Sequence, residues 1–227
     1  MFSCKNNLQF LSSIDVLYVD GTFKLVPKFF HQLFTIHGLA MCNWHLFLPA
    51  NKHPTSCEDV FSHMVSEAAK RGVNVFPTIV FADFETAIHN SVTTVWPGCE
   101  GKAFRFHFGQ RWWRKIQSLG LNKQYGKKDS EVSQFLKKMF GLSLLPPAEV
   151  CDCFALEFLS NLPNDMRGEQ LCDYLLESYI DADSVFPPPV SSECTASSVR
   201  TINSCELFHA CSNALFYSAH HKISVLV

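Results

Sequence analysis

The sequence predicts an α/β fold: a mixed five-stranded sheet flanked by helices, with an all-helical insertion ahead of the last helix. Three observations carry this expectation. Short β-branched and aromatic runs are confined to residues 1–110, helical periodicity takes over beyond Gln110, and two of the apolar runs end in an aspartate. Val16-Leu17-Tyr18-Val19 closes on Asp20-Gly21-Thr22-Phe23, and 63 residues later Thr78-Ile79-Val80-Phe81-Ala82 closes on Asp83-Phe84-Glu85. A strand ending in an acid and a turn presents that acid at the rim of a sheet.

In chain order, residues 7–11 form a short apolar lead-in and the first strand follows. Gln32-Leu33-Phe34-Thr35-Ile36-His37-Gly38 and Trp44-His45-Leu46-Phe47-Leu48-Pro49 are two further β-rich runs. Their short connections imply an antiparallel meander. From Ser56 the apolar positions Val60, Phe61, Met64, Val65 and Ala68 share a helical face, with Gly72 as the stop. The strand over residues 76–83 is therefore reached by a crossover and pairs in parallel. A helix over 85–95 comes next, and Ala103-Phe104-Arg105-Phe106-His107-Phe108 alternates like a fifth strand. Beyond it, helices are expected over 111–119, 129–140, 147–159 and 166–180. Phe186-Pro187-Pro188-Pro189 and the Ser-rich stretch to Ser198 read as a linker, before a last helix over 204–217. The domain expectation is a core of residues 1–110 and 199–227 interrupted by an insertion at 111–198.

Hydrophobic residues make up 47% of the chain and charged residues 18%, which excludes a disordered protein. No run reaches the length of a membrane span and residues 1–7 lack the apolar stretch of a signal peptide, so an intracellular protein with no membrane partner is expected. The ten cysteines are scattered without a Cys-x2-Cys pair, which favours reduced thiols over disulfides or a zinc finger. A net charge of −2 conceals a polar division. Residues 102–138 hold ten Lys or Arg against Asp129 and Glu131, whereas residues 149–183 hold nine acids against Arg167 alone. The basic block suits a polyanion.

The local wording is narrower than the fold. Leu17-Tyr18-Val19-Asp20-Gly21-Thr22-Phe23, Gln32 to Gly38, Asn51-Lys52, Ala82-Asp83-Phe84-Glu85-Thr86-Ala87, Phe106-His107-Phe108-x-Gln110 and Arg200-Thr201-x-Asn203-x-x-Glu206-x-x-His209 occur in one order across nearly the whole chain. Together they resemble the Mutator-like element (MULE) transposase domain, a member of the ribonuclease H-like Asp-Asp-Glu superfamily. The resemblance implies a ribonuclease H-like core in which Asp20, Asp83 and Glu206 bind two Mg2+ or Mn2+ ions. It implies cleavage at transposon ends, strand transfer to target DNA, multimeric assembly and a nuclear setting, with no other small-molecule cofactor. Carboxylate oxygens are the donors that hard divalent cations prefer.

His107 and His209 are further catalytic candidates, the second because it lies three residues after Glu206 on a similar helical face. Arg105, Arg111, Trp112, Trp113, Arg114 and Lys115 are the DNA-binding candidates, since interleaved cations and indoles grip phosphates and stack on unpaired bases. One of the two tryptophans must point into the core. Phe104 stands where the family has a cysteine. The family's N-terminal zinc-binding recognition module is missing, so sequence-specific binding of transposon ends is not expected from this polypeptide alone. The alternative is a non-catalytic, transposase-derived nucleic-acid-binding or regulatory protein, or an inert remnant.

Overall fold

The computed structural model describes residues 5–22, 33–38, 45–47, 55–127 and 130–192. The chain divides into two compact units, with residues up to Lys102 in the first and residues from Ala103 in the second. The first unit is built on a mixed sheet. Helix α1 (Lys5–Leu11) precedes β1 (Val16–Thr22), β2 (Leu33–His37) and β3 (His45–Phe47), and then come α2 (Thr55–Ala69), β4 (Ile79–Ala82), α3 (Thr86–Val95) and β5 (Glu100–Ala103). The strand order is β3-β2-β1-β4-β5. β1 and β2 pair antiparallel, as do β2 and β3, whereas β4 pairs parallel with β1. The meander and the parallel crossover are both as the connection lengths imply.

Alternation along the strands sorts the sheet into two faces. Leu17 and Val19 of β1, Phe34 and Ile36 of β2, and Val80 and Ala82 of β4 are buried against Phe61 and Met64 of α2 and Ile88 and Val92 of α3. Tyr18, Asp20, Thr35, His37 and Phe81 occupy the alternate positions, and all five are buried as well. Trp96, at the end of α3, closes the core by donating from Nε1 to the Val75 carbonyl at 2.9 Å. At the other end of the crossover, α2 finishes in a left-handed glycine. Gly72 has φ +74° and donates to the Ala69 carbonyl, while Val73 donates to the Ala68 carbonyl, so two terminal carbonyls are satisfied.

The second unit is helical: α4 (Arg105–Ser118), α5 (Asn122–Tyr125), α6 (Glu131–Met139), α7 (Pro147–Cys153), α8 (Met166–Leu175) and α9 (Pro188–Ser191). A 3-10 turn, Phe140–Leu144, extends α6, and wider π turns, Phe154–Leu159 and Leu176–Ile180, extend α7 and α8. Phe108, Trp112, Phe135, Phe154, Leu175 and Tyr179 are among its buried side chains. Gly120 repeats the cap of Gly72: at φ +70° it donates to the Gln117 carbonyl, and Leu121 donates to the Ile116 carbonyl. Asp165 caps α8 by accepting from the Arg167 N–H, and its carboxylate also holds the Arg167 guanidinium at 2.6 Å.

Two expectations are corrected. The fifth strand is Glu100–Ala103, and residues 105–108 are the first turn of α4, which therefore crosses the boundary expected at residue 110. Phe104, Phe106 and Phe108 alternate, but Phe104, Phe108, Trp112 and Ile116 also recur every four residues. The second pattern is the one that is buried, leaving Phe106 47% exposed. Residues 186–192 are not a linker. Phe186 is buried with its ring stacked on Tyr179 at 6.4 Å, Pro188–Ser191 forms a helical turn, and Ser192 is buried. A proline at the first helical position loses no hydrogen bond, so this stretch starts a helix instead of preventing one.

Candidate functional site

The two strand-end aspartates are set by the β1–β4 ladder. Its register pairs Val16 with Ile79, Leu17 with Val80 and Tyr18 with Phe81, an offset of 63 residues in each case. The offset is established at the base of the ladder, where the Asp15 carbonyl accepts from Thr78 N–H at 2.8 Å, Ile79 N–H at 3.1 Å and Thr78 Oγ1 at 3.1 Å. Asp20 and Asp83 each lie two residues beyond the last pair, Tyr18 and Phe81, and so have the same 63-residue separation. Both acids therefore follow the C-terminal end of the β1–β4 ladder, whose strands lie about 4.8 Å apart.

Their surroundings differ. Asp20 is still within β1, opposite Thr35 of β2, and its carbonyl accepts from Thr35 Oγ1 at 3.1 Å. Only 9% of Asp20 is exposed. Behind it, Tyr18 is stacked on His37 to one side and on Phe81 to the other, each with ring centroids 5.3 Å apart. Three neighbouring strands thus supply an aromatic row beneath the acids. Asp83 lies one residue past β4, in the turn leading to α3, and is half-buried. Its Oδ1 accepts from the Phe84 N–H at 2.6 Å and its carbonyl accepts from the Glu85 N–H at 2.7 Å. Glu85, the neighbouring acid, occupies the N-cap position of α3.

Glu206 and His209 lie outside the described residues. Among the described residues no three His, Cys, Asp or Glu side chains gather as an ion would require. Two of the three expected ligands are within view, and their chemistry fits Mg2+ or Mn2+, because both are carboxylates, the donors such ions prefer.

The DNA-binding candidates are all on α4, and the helix separates them. Trp112 is the core tryptophan, 2% exposed and packed on Phe108 at 4.1 Å and Phe140 at 5.7 Å, so its expected base-stacking role is corrected. Trp113 is half-buried with its ring edge-on to Tyr125 at 5.0 Å. Arg111 and Lys115, one turn apart, sit over aromatic rings of their own unit: the Arg111 guanidinium is 5.7 Å from Phe186 and Lys115 Nζ is 4.8 Å from Tyr174. Arg105 and Arg114 are exposed. His107 is half-buried between Phe104 and Phe106, with both ring contacts edge-on.

One residue near the acids was missed from the sequence. His89, in α3, donates from Nε2 to the Asp83 carbonyl at 3.1 Å. A histidine six positions after a strand-end acid gives no periodic signal, because the contact depends on a helix folding back over the turn that starts it. No family model and no curated protein matches this chain. Among the described residues no helix is long and apolar enough to cross a membrane.

Proposed function

We propose that the chain is the catalytic domain of a MULE-type DNA transposase, a ribonuclease H-like enzyme in which Asp20, Asp83 and Glu206 hold Mg2+ or Mn2+ for phosphodiester hydrolysis and strand transfer. The observation that carries this reading is the equal offset of the β1–β4 ladder and of its two terminal aspartates. A sheet in the order β3-β2-β1-β4-β5, with a meander on one side of β1 and a parallel crossover on the other, supports the ribonuclease H-like core.

Bound Mg2+ would supply an activated water or 3′ hydroxyl and would neutralise the departing oxygen. The chain's own contribution is alignment. β1 holds the Asp20 carboxylate within the sheet, the turn after β4 carries that of Asp83, and the buried aromatic row of Tyr18, His37 and Phe81 packs across the three strands beside them. Arg105 and Arg114 are the exposed cations for a DNA backbone. Action at transposon ends implies a multimer on paired DNA ends and a nuclear setting.

The test is Mg2+-dependent nicking of duplex DNA by the purified full-length chain. Asp20→Asn, Asp83→Asn and Glu206→Gln are each expected to abolish it while the far-ultraviolet spectrum stays unchanged. Cleavage by any of the three at the parent rate overturns the assignment. A parent that binds DNA but neither binds Mg2+ nor cuts favours the non-catalytic, transposase-derived reading.

A further inference from the structure

Asp83 is the less rigid of the two strand-end acids by position, since β4 stops one residue before it. Something other than the ladder must hold its backbone. Two donors converge on its carbonyl, the Glu85 N–H at 2.7 Å and His89 Nε2 at 3.1 Å. A carbonyl only accepts, so the proton of the neutral imidazole lies on Nε2. Burial lowers the affinity of this ring for a second proton. The other side of the ring is seated on β5: a Cβ at Gly101 would come within 3.0 Å of His89 Nδ1. The ring is therefore wedged between the turn that carries Asp83 and the neighbouring strand, and Gly101 is what admits it.

We propose that His89 is a positioning residue for the Asp83 carboxylate, clamping the Asp83 carbonyl while Gly101 of β5 backs the ring. The inference rests on the metal reading of Asp20 and Asp83. A ligand whose backbone drifts still carries its charge but loses its angle. Mg2+ demands near-ideal octahedral geometry, whereas the larger Mn2+ tolerates more. Loosening Asp83 consequently weakens Mg2+ more than Mn2+.

The experiment is calorimetric titration of the full-length chain with Mg2+ alone and with Mn2+ alone, comparing the parent with His89→Gln, His89→Met and Gly101→Ala. Glutamine reaches the carbonyl with an amide N–H, and methionine fills similar space without a donor. His89→Gln is expected to bind Mg2+ within about threefold of the parent, and His89→Met about 10- to 100-fold more weakly, with a smaller loss for Mn2+. If His89→Met fails to fold, Gly101→Ala carries the test, because it keeps the imidazole and displaces it; parent-like Mg2+ affinity there overturns the inference. Equal Mg2+ affinity for folded His89→Gln and His89→Met overturns it also, while leaving the metal site standing. A parent that binds neither ion overturns the metal reading itself, and the inference with it.

Discussion

Asp20 and Asp83 each lie two residues beyond the Tyr18–Phe81 pair that ends the β1–β4 ladder, Asp20 within β1 and Asp83 in the turn after β4. Two acids that serve the same ions act as one unit, so their losses do not add. Asp20→Asn and Asp83→Asn are each expected to remove measurable Mg2+ binding, and the double variant to be no worse than either. Calorimetry on the three variants checks this. A double variant whose loss is the product of two partial losses would mean the acids serve separate sites.

Trp112 and the exposed arginines of α4 make opposite predictions. Trp112→Ala empties the centre of the helical unit and is expected to cost about 3–5 kcal/mol of stability, with DNA affinity of the folded fraction unchanged. Arg105→Ala and Arg114→Ala are expected to leave stability within about 0.5 kcal/mol of the parent. Each is also expected to lower the slope of log affinity against log salt by about 1. Denaturant melts and DNA titrations at several salt concentrations separate the two effects.

The helical reading of residues 105–108 has a direct test. Phe106 is 47% exposed and Phe108 is 3% exposed, although a strand would have put both on one face. Phe106→Ser is expected to change stability by less than about 0.5 kcal/mol. Phe108→Ala is expected to cost about 3–5 kcal/mol, read from urea denaturation.

Gly72 caps α2 at φ +74° with nothing within 4 Å of where a Cβ would stand. Its substitution therefore reports backbone strain without steric overlap. Gly72→Ala is expected to lower stability by about 1 kcal/mol, and Gly72→Asn by less, since asparagine tolerates the left-handed region better. Thermal melts of the two variants against the parent give the comparison.

Burial pushes the Cys57 thiol, and independently the Cys172 thiol, up to about 11. In unfolded chain a thiol loses its proton near pH 8.5. Between that value and about 11 the folded state holds protons that the unfolded state has released, so these groups' contribution is complete below the unfolded value and is lost as pH rises through the window. Urea midpoints are expected to fall from pH 8 to pH 10.5, and the fall to be shallower in Cys57→Val. An unchanged slope in that variant would remove Cys57 from the account.

The sequence determined the elements whose signal is local. An apolar run ending in Asp-Gly is a strand end, glycines at 72 and 120 stop helices, and helix-period apolar positions over 55–69 mark α2 because a solvated helix must bury one side. The two aspartates were legible for the same reason, and their separation already equalled the register offset, though nothing local required it to. Tertiary packing decided the rest. Phe104 to Phe108 satisfies period 2 and period 4 equally well, and neighbours such as Phe140 and Tyr179, distant in the chain, select the face with Trp112. Which tryptophan is buried, whether Phe186 packs, and which ring clamps the Asp83 carbonyl are set by contacts between residues far apart in the chain, and such contacts leave no period to read.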